Sequence, residues 1–254
     1  MSALVISHRT NMGTQPENTL AGIGAAINDG VDAIEVDVRA TADGVPVLMH
    51  DASLRRTTGD SRDVAAVTLA ELGASRVAGP AGEPGDEAGS QPQPQAVPSL
   101  AAALAAVNGL CTLVLEVKQA GIEQAVAAAV RDAGAQQWCW LWSFDPWVAA
   151  AAAQALPTVP VSLLAAAGSG KRFGIDSPTQ TAAAAGFAGL SLEHSTVTDT
   201  SVAEAHELGL AVYTWTVNED KDIRRVLEAG VDGVCGNYPL RITEVIGGRT
   251  PRAG

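Results

Sequence analysis

The sequence predicts a single α/β domain over residues 1–254, folded as a (β/α)8 barrel of the TIM type. Three observations carry that expectation. Helix-like segments repeatedly end in glycine and lead into a short apolar run, at Gly30, Gly134, Gly186, Gly209 and Gly230, as expected where a left-handed residue closes a helix before a strand. Strands alternating with helices imply parallel pairing through right-handed crossovers. The length of 254 residues suits one barrel. Periodicity does not show closure, and an open doubly wound sheet satisfies the same pattern.

In chain order the candidate strands are Leu4–Ser7, Ala33–Val38, Val45–Met49, Thr112–Val117, Trp138–Ser143, Val161–Leu164, Gly189–Leu192, Ala211–Thr216 and Gly233–Cys235, one more than a barrel needs. The surplus falls at Val45–Met49, which follows Ala33–Val38 across Thr41-Ala42-Asp43-Gly44. Asp-Gly between apolar runs favours an antiparallel hairpin. The alternative is that the last short run only plugs the barrel. Gly-Val-Asp occurs at Gly30–Asp32 and again at Gly230–Asp232, two similar helix–strand junctions.

Residues Asp51–Pro98 break the rhythm and read as an insertion after a strand end. Helix-like Leu69–Val77 comes first, then Gly79–Pro98, whose five prolines and four glycines form no packed core. Ser99 caps a helix over Leu100–Val107. The uncharged stretch Pro146–Gly170 is interrupted by Pro157 and Pro160 and contains Gln154, so it does not read as a membrane span.

Composition narrows the partners. With 47% apolar residues a large core is expected, and a net charge of −12 without a basic stretch argues against nucleic acid. An acidic protein that handles an anionic substrate must supply positive charge locally, and a bound cation does so. Cys111, Cys139 and Cys235 are odd in number and set in apolar segments, hence reduced. The first strand starts almost at Met1, which leaves no room for a signal peptide, and a cytoplasmic protein without stable membrane insertion is the expectation.

Chemistry concentrates at strand ends, where βα loops build sites. His8-Arg9 follows the first strand, and His50 ends the third apolar run. Glu35 and Asp37 lie two apart in the second strand and so face the same way; Glu116 and Lys118 repeat that spacing. Acids are rare in parallel strands, and carboxylates converging on one face repel unless a cation joins them. Hard ions such as Mg²⁺ or Ca²⁺ take such oxygen ligands. Two histidines suit acid–base work near neutral pH, and Arg9 and Lys118 suit phosphate oxygens. Glu17 and Asn18 sit in the first βα loop: Glu17 is placed to reach the cation region, and Asn18 reads equally as a helix N-cap. Trp215 stands at the end of the strand Ala211–Thr216 and Asn218 follows it, as a ligand wall and a polar contact or as a barrel aromatic and a helix cap. Trp138, Trp140, Trp142 and Trp147 receive no chemistry. His206 reads as an ordinary helix residue, and His194, after a strand end, is placed to face the mouth.

The run His8-Arg9, Pro16-Glu17-Asn18-Thr19, Glu35-Val36-Asp37-Val38, Thr41-Ala42-Asp43-Gly44, His50-Asp51 and Arg56-Thr57-Thr58-Gly59 resembles the glycerophosphodiester phosphodiesterase signature. The resemblance continues through Leu115-Glu116-Val117-Lys118, Ser143-Phe144-Asp145 and Trp215-Thr216-Val217-Asn218. It implies a (β/α)8 barrel with a small insertion after the second catalytic histidine. It also implies His8 and His50 as the acid–base pair, Glu35, Asp37 and Glu116 as ligands of Mg²⁺ or Ca²⁺ (or Mn²⁺), and Arg9 and Lys118 at the phosphate. The implied substrate is a glycerophosphodiester, cleaved to glycerol 3-phosphate and an alcohol. Two departures stand out: Thr10 occupies a position usually held by glycine, and Cys235-Gly236-Asn237-Tyr238-Pro239 replaces the usual Thr-Asp-x-Pro ending. The rival readings are phospholipase D-like cleavage of lysophospholipids or sphingomyelin, and a non-catalytic barrel that binds a phosphate ligand.

Overall fold

The computed structural model describes residues 3–79, 92–168 and 177–247. Eleven strands form there: β1 (Leu4–Ser7), β2 (Ala33–Ala40), β3 (Pro46–Leu48), β4 (Arg76–Val77), β5 (Gln95–Ala96), β6 (Thr112–Val117), β7 (Cys139–Ser143), β8 (Val161–Ala165), β9 (Gly189–Glu193), β10 (Ala211–Trp215) and β11 (Gly233–Gly236). Eight of them, β1, β2 and β6 to β11, are parallel neighbours, and β1 pairs with both β2 and β11. The sheet is therefore closed, which removes the open-sheet alternative. The last run, β11, is a full barrel strand between β1 and β10 and not a plug.

The surplus strand behaves as the Asp-Gly turn implies. β3 folds back antiparallel onto the end of β2, pairing Val38 with Leu48 and Ala40 with Pro46. Gly44 takes the positive φ of 78° that this turn requires. The two Gly-Val-Asp junctions are structurally equivalent. Asp32 accepts the Val5 N–H and Asp232 the Val212 N–H through Oδ2, each tying the foot of one strand to its neighbour.

The five helix-closing glycines picked out by the sequence, Gly30, Gly134, Gly186, Gly209 and Gly230, all have positive φ. The helices they end pack Val, Leu, Ile and Ala against the outside of the barrel in one continuous core. Inside the barrel, alternate strand residues Ile6, Ala33, Val114, Trp142, Leu164 and Cys235 fill the interior. No helix among the described residues is long and apolar enough to cross a membrane.

The insertion is more ordered than its composition suggests. Val47, Met49, Leu54, Val64, Val67, Leu72, Val77 and Val97 make a small core of their own beside the barrel. The expected helix over Leu69–Val77 is only Leu69–Leu72, started by a capping box between Thr68 and Glu71. Gly73 ends it, and Arg76–Val77 then pairs with Gln95–Ala96 as a two-stranded ribbon. Residues 80–91, most of the polar tract, lie outside the described residues.

Candidate active site

Strand alternation and register assemble the acidic cluster. On β2, Glu35 and Asp37 point to the same face, and Asp37 pairs in register with Glu116 of β6. One carboxylate oxygen from each of Glu35, Asp37 and Glu116 lies within 4.8 Å of the others, and all three residues are buried. Glu35 Oε1 is buried without a hydrogen-bond partner. An orphaned acceptor in a triad of hard oxygen donors fits a divalent cation such as Mg²⁺ or Ca²⁺.

Fixed cations surround the triad unevenly. Lys118 Nζ sits 3.1 Å from Asp37 Oδ1 and 2.6 Å from Glu116 Oε1, and Arg9 Nε is 3.5 Å from Asp37 Oδ2. Burial pushes Asp37 up, but Lys118, Arg9 and His50, with a hydrogen bond from Asn18, outweigh it and hold it well below the usual carboxylate range. Burial, with the charges of Asp37 and Glu116, raises Glu35. Burial also raises Glu116, to about 7, against the pull of Lys118. Lys118 itself is raised, since Asp37 and Glu116 overcome its own desolvation. The cluster is thus under-compensated at Glu35, the position where added positive charge helps most.

His8 reaches the site because β1 ends in a reversal. Arg9 and Thr10 take φ of 46° and 75°, and their N–H groups donate to Glu35 Oε2 and Glu35 O at 2.8 Å. The His8 ring lies between Asn237, whose Oδ1 is 2.8 Å from Nδ1, and Glu35, whose Oε2 is 4.0 Å from Nε2. Burial, aided by Arg9, lowers His8 to about 4 despite the Asn237 contact, so the free ring is neutral near pH 7. Thr10, the departure from glycine, is accommodated from below: it packs on Gly22, where any Cβ would collide with the Thr10 side chain.

His50 follows β3, whose return along β2 brings it over Asp37; Met49 N donates to Asp37 O at 2.9 Å. Its Nδ1 lies 2.6 Å from Asp51 Oδ1. Asp51 in turn accepts from Arg56 Nε at 2.7 Å, and Arg56 grips both oxygens of Glu17 at 2.7 and 2.8 Å. These bonds join the His50 loop to the first βα loop. The Arg56 hydrogen bond is the main reason Asp51 is held down near about 2.

The mouth opens as a cleft of about 140 Å³. Its polar lining is His8, Arg9, Glu35, His50, Glu116 and Lys118, and its apolar lining includes Trp142, Phe144, Leu164 and Trp215, with Lys118 Nζ 5.8 Å from the centre of the Phe144 ring. Phe144 and Trp215 meet edge to face at 5.3 Å, and Trp215 Nε1 donates to Ser191 O at 3.1 Å, which locks the indole.

Eight of the expected residues meet here: His8, Arg9, Glu35, Asp37, His50, Glu116, Lys118 and Trp215. Three others act one step away. Glu17 is taken up by Arg56 and by Arg9 at 3.4 Å, not by the acidic triad. Asn18 is not the helix cap, a role filled by Thr19; its amide instead donates to Asp37 Oδ2 at 2.7 Å and accepts from Asp37 N at 3.0 Å. Asn218 accepts from Asn237 N at 2.9 Å, bracing the loop that holds His8, while Glu219 occupies the cap position. His194 is turned to Arg225, and His206 pairs with Asp232 at the far end of the barrel.

Sequence reasoning passed over Asn237, Asp51, Arg56, Trp142 and Phe144. Asp51, Arg56 and Phe144 stand inside the motifs quoted above, and Trp142 shares strand parity with Phe144; Asn237 sits in the loop that departs from the usual ending, where no spacing rule points to His8.

The Glycerophosphoryl diester phosphodiesterase family model matches residues 8–241, almost the whole barrel. The chain belongs to that family. Fold and family together make it a phosphoric diester hydrolase. It is 26% identical over 252 residues to a glycerophosphodiester phosphodiesterase of Caldanaerobacter subterraneus, covering 97% of this chain and 98% of that protein. A Silicibacter pomeroyi crystal structure that carries the same family name superposes with a TM-score of 0.86 at 33% identity, over 96% of this chain and 93% of that one. An Oleispira antarctica phosphodiesterase, solved with its product sn-glycerol-3-phosphate, superposes with a TM-score of 0.79 at 27% identity, over 96% of this chain and 97% of that one.

Proposed function

We propose that this enzyme hydrolyses glycerophosphodiesters to sn-glycerol 3-phosphate and a free alcohol, with His8 and His50 as the acid–base pair and one divalent cation on Glu35, Asp37 and Glu116. The observation that carries the reading is one cleft lined by two imidazoles and the edge of a buried carboxylate triad. The product found with the Oleispira antarctica relative supports the choice of substrate.

The diester phosphate sits against Arg9 and Lys118, whose charges offset its oxygens. When bound, Mg²⁺, Mn²⁺ or Ca²⁺ polarises a phosphoryl oxygen and offsets the charge that grows on it in the transition state. One imidazole takes the proton of the nucleophile, water or the neighbouring glycerol hydroxyl. The other gives a proton to the leaving alcohol oxygen. Trp215 and Phe144 cover the carbon face of the glycerol and keep bulk water from that side.

The test is a panel of glycerophosphodiesters, with lysophosphatidylcholine as comparator, assayed with Mg²⁺, Mn²⁺ and Ca²⁺ and after EDTA. Release of sn-glycerol 3-phosphate that EDTA abolishes is the expected result. Exclusive turnover of lysophosphatidylcholine would replace the substrate, and full activity in excess EDTA would remove the cation.

A further inference from the structure

β2 carries a third residue on the face of Glu35 and Asp37. Arg39 stands two positions beyond Asp37, one step nearer the mouth, beside Lys118, whose N–H bonds Val38 O at 3.1 Å. A second cavity of about 270 Å³ adjoins the catalytic cleft there. It shares Glu116, Lys118 and Phe144 with the cleft and adds Arg39, Ser143 and Asp145.

The charged side chains of the site and of this cavity are not equally committed. Arg9 is engaged by Glu17 and Asp37, Lys118 by Asp37 and Glu116, and Arg56 by Glu17 and Asp51. Asp145 uses Oδ1 to cap the Trp147 and Val148 N–H groups. Arg39, half-buried, makes one hydrogen bond among the described residues, from Nε to His50 O at 2.9 Å. Among the described residues its other guanidinium nitrogens have no acceptor. A guanidinium with an open donor fork matches a planar carboxylate.

On the proposed reading, a glycerophosphodiester has two ends to place. Trp142 and Trp215 line the cleft and not the second cavity, and suit the glycerol carbons; Phe144 borders both, which leaves the Arg39 side for the alcohol. We propose that this cavity is the subsite for the alcohol half of the diester, and that Arg39 selects alcohols bearing a carboxylate. Glycerophosphoserine is the simplest member of that class.

sn-Glycero-3-phosphoserine and sn-glycero-3-phosphoethanolamine differ by one carboxylate, so the ratio of their kcat/KM values reads the subsite directly. In the full chain with saturating Mg²⁺ the serine diester is expected to lead by about tenfold, as one charge-assisted pair allows. Arg39→Gln is expected to bring the ratio close to one, with Arg39→Lys in between. Any disturbance passed to His50 through its carbonyl affects both substrates and cancels in the ratio. Calorimetric titration with O-phosphoserine and O-phosphoethanolamine gives the same comparison without turnover. Equal kcat/KM values in the wild type, or a ratio untouched by Arg39→Gln, would overturn the subsite. Absence of turnover with a preserved calorimetric preference would instead fail the catalytic reading and leave the subsite standing.

Discussion

His50 Nδ1 lies 2.6 Å from Asp51 Oδ1. Asp51 is ionised down to about pH 2 and can only accept, so His50 Nδ1 carries the hydrogen and Nε2 is left for chemistry. His8 has a neutral partner instead, the Asn237 amide oxygen at 2.8 Å. The two imidazoles thus meet the cleft with different supports.

Asp51→Asn offers His50 an amide that can donate as well as accept, so the ring is no longer held in one tautomer. kcat is expected to fall by about 10²-fold, the lower range of what a placed acid–base group contributes, with KM little changed. The ¹⁵N spectrum of His50 checks the cause: the single Nδ1–H tautomer should give way to a mixture. An unchanged spectrum together with unchanged kcat would show that Asp51 has no such role.

His8→Ala and His50→Ala are each expected to lower kcat by roughly 10² to 10⁴. Neither ring is part of the hydrophobic cores, so circular dichroism and Tm should stay near wild type. Near-wild-type turnover in either variant removes that histidine from the acid–base pair.

Cation binding should be visible without any assay of activity. Mg²⁺ or Ca²⁺ at ~100 times its Kd is expected to stabilise the fold by about 2.7 kcal/mol, read as a rise in Tm over EDTA-treated protein. Glu35→Gln keeps the shape and removes a ligand charge, so the rise should largely vanish. An equal rise in both proteins places the ion elsewhere.

The pH dependence of the EDTA-treated protein has a definite sign. Burial raises Glu116 from 4.5 to about 7, so the folded chain holds that proton more tightly than the unfolded one. This contribution is fully present below pH 4.5 and is lost as pH rises through about 7. Tm should therefore drop more across this window in wild type than in Glu116→Gln, and Mg²⁺ should oppose the drop because it needs the deprotonated carboxylates. Parallel Tm curves for the two proteins would contradict this.

Gly22 and Thr10 should be energetically coupled. Gly22→Ala drives a methyl into the buried Thr10 side chain, with an expected loss of about 1–3 kcal/mol in a urea unfolding curve. In a Thr10→Gly background the same change should cost far less, since alanine also favours the helix. Additive effects would rule out the contact.

Much of the site was legible from residue types alone. Glu35, Asp37 and Glu116 stood out because acids in parallel strands are costly without a partner, and strand alternation already put the first two on one face. The Asp43-Gly44 signal announced the hairpin that carries His50 back over β2. The insertion was less legible: Val64, Val67, Leu72, Val77 and Val97 are too scattered for a periodic signal, yet they form a core once folded.

The alternation of helix and strand, the hairpin and the chemistry of the acidic pair depend on local conformation and on strand parity, so residue order is enough to read them. The remaining relationships arise only on folding. Closure through β1 with β2 and β11 brings Asn237 to His8, 229 residues away in the chain. The β2–β6 register sets Asp37 opposite Glu116. Arg56 gathers Glu17 and Asp51, and Arg39 is left with an open fork. Such pairings depend on which distant strands become neighbours, and hydrophobic packing settles that across the whole barrel.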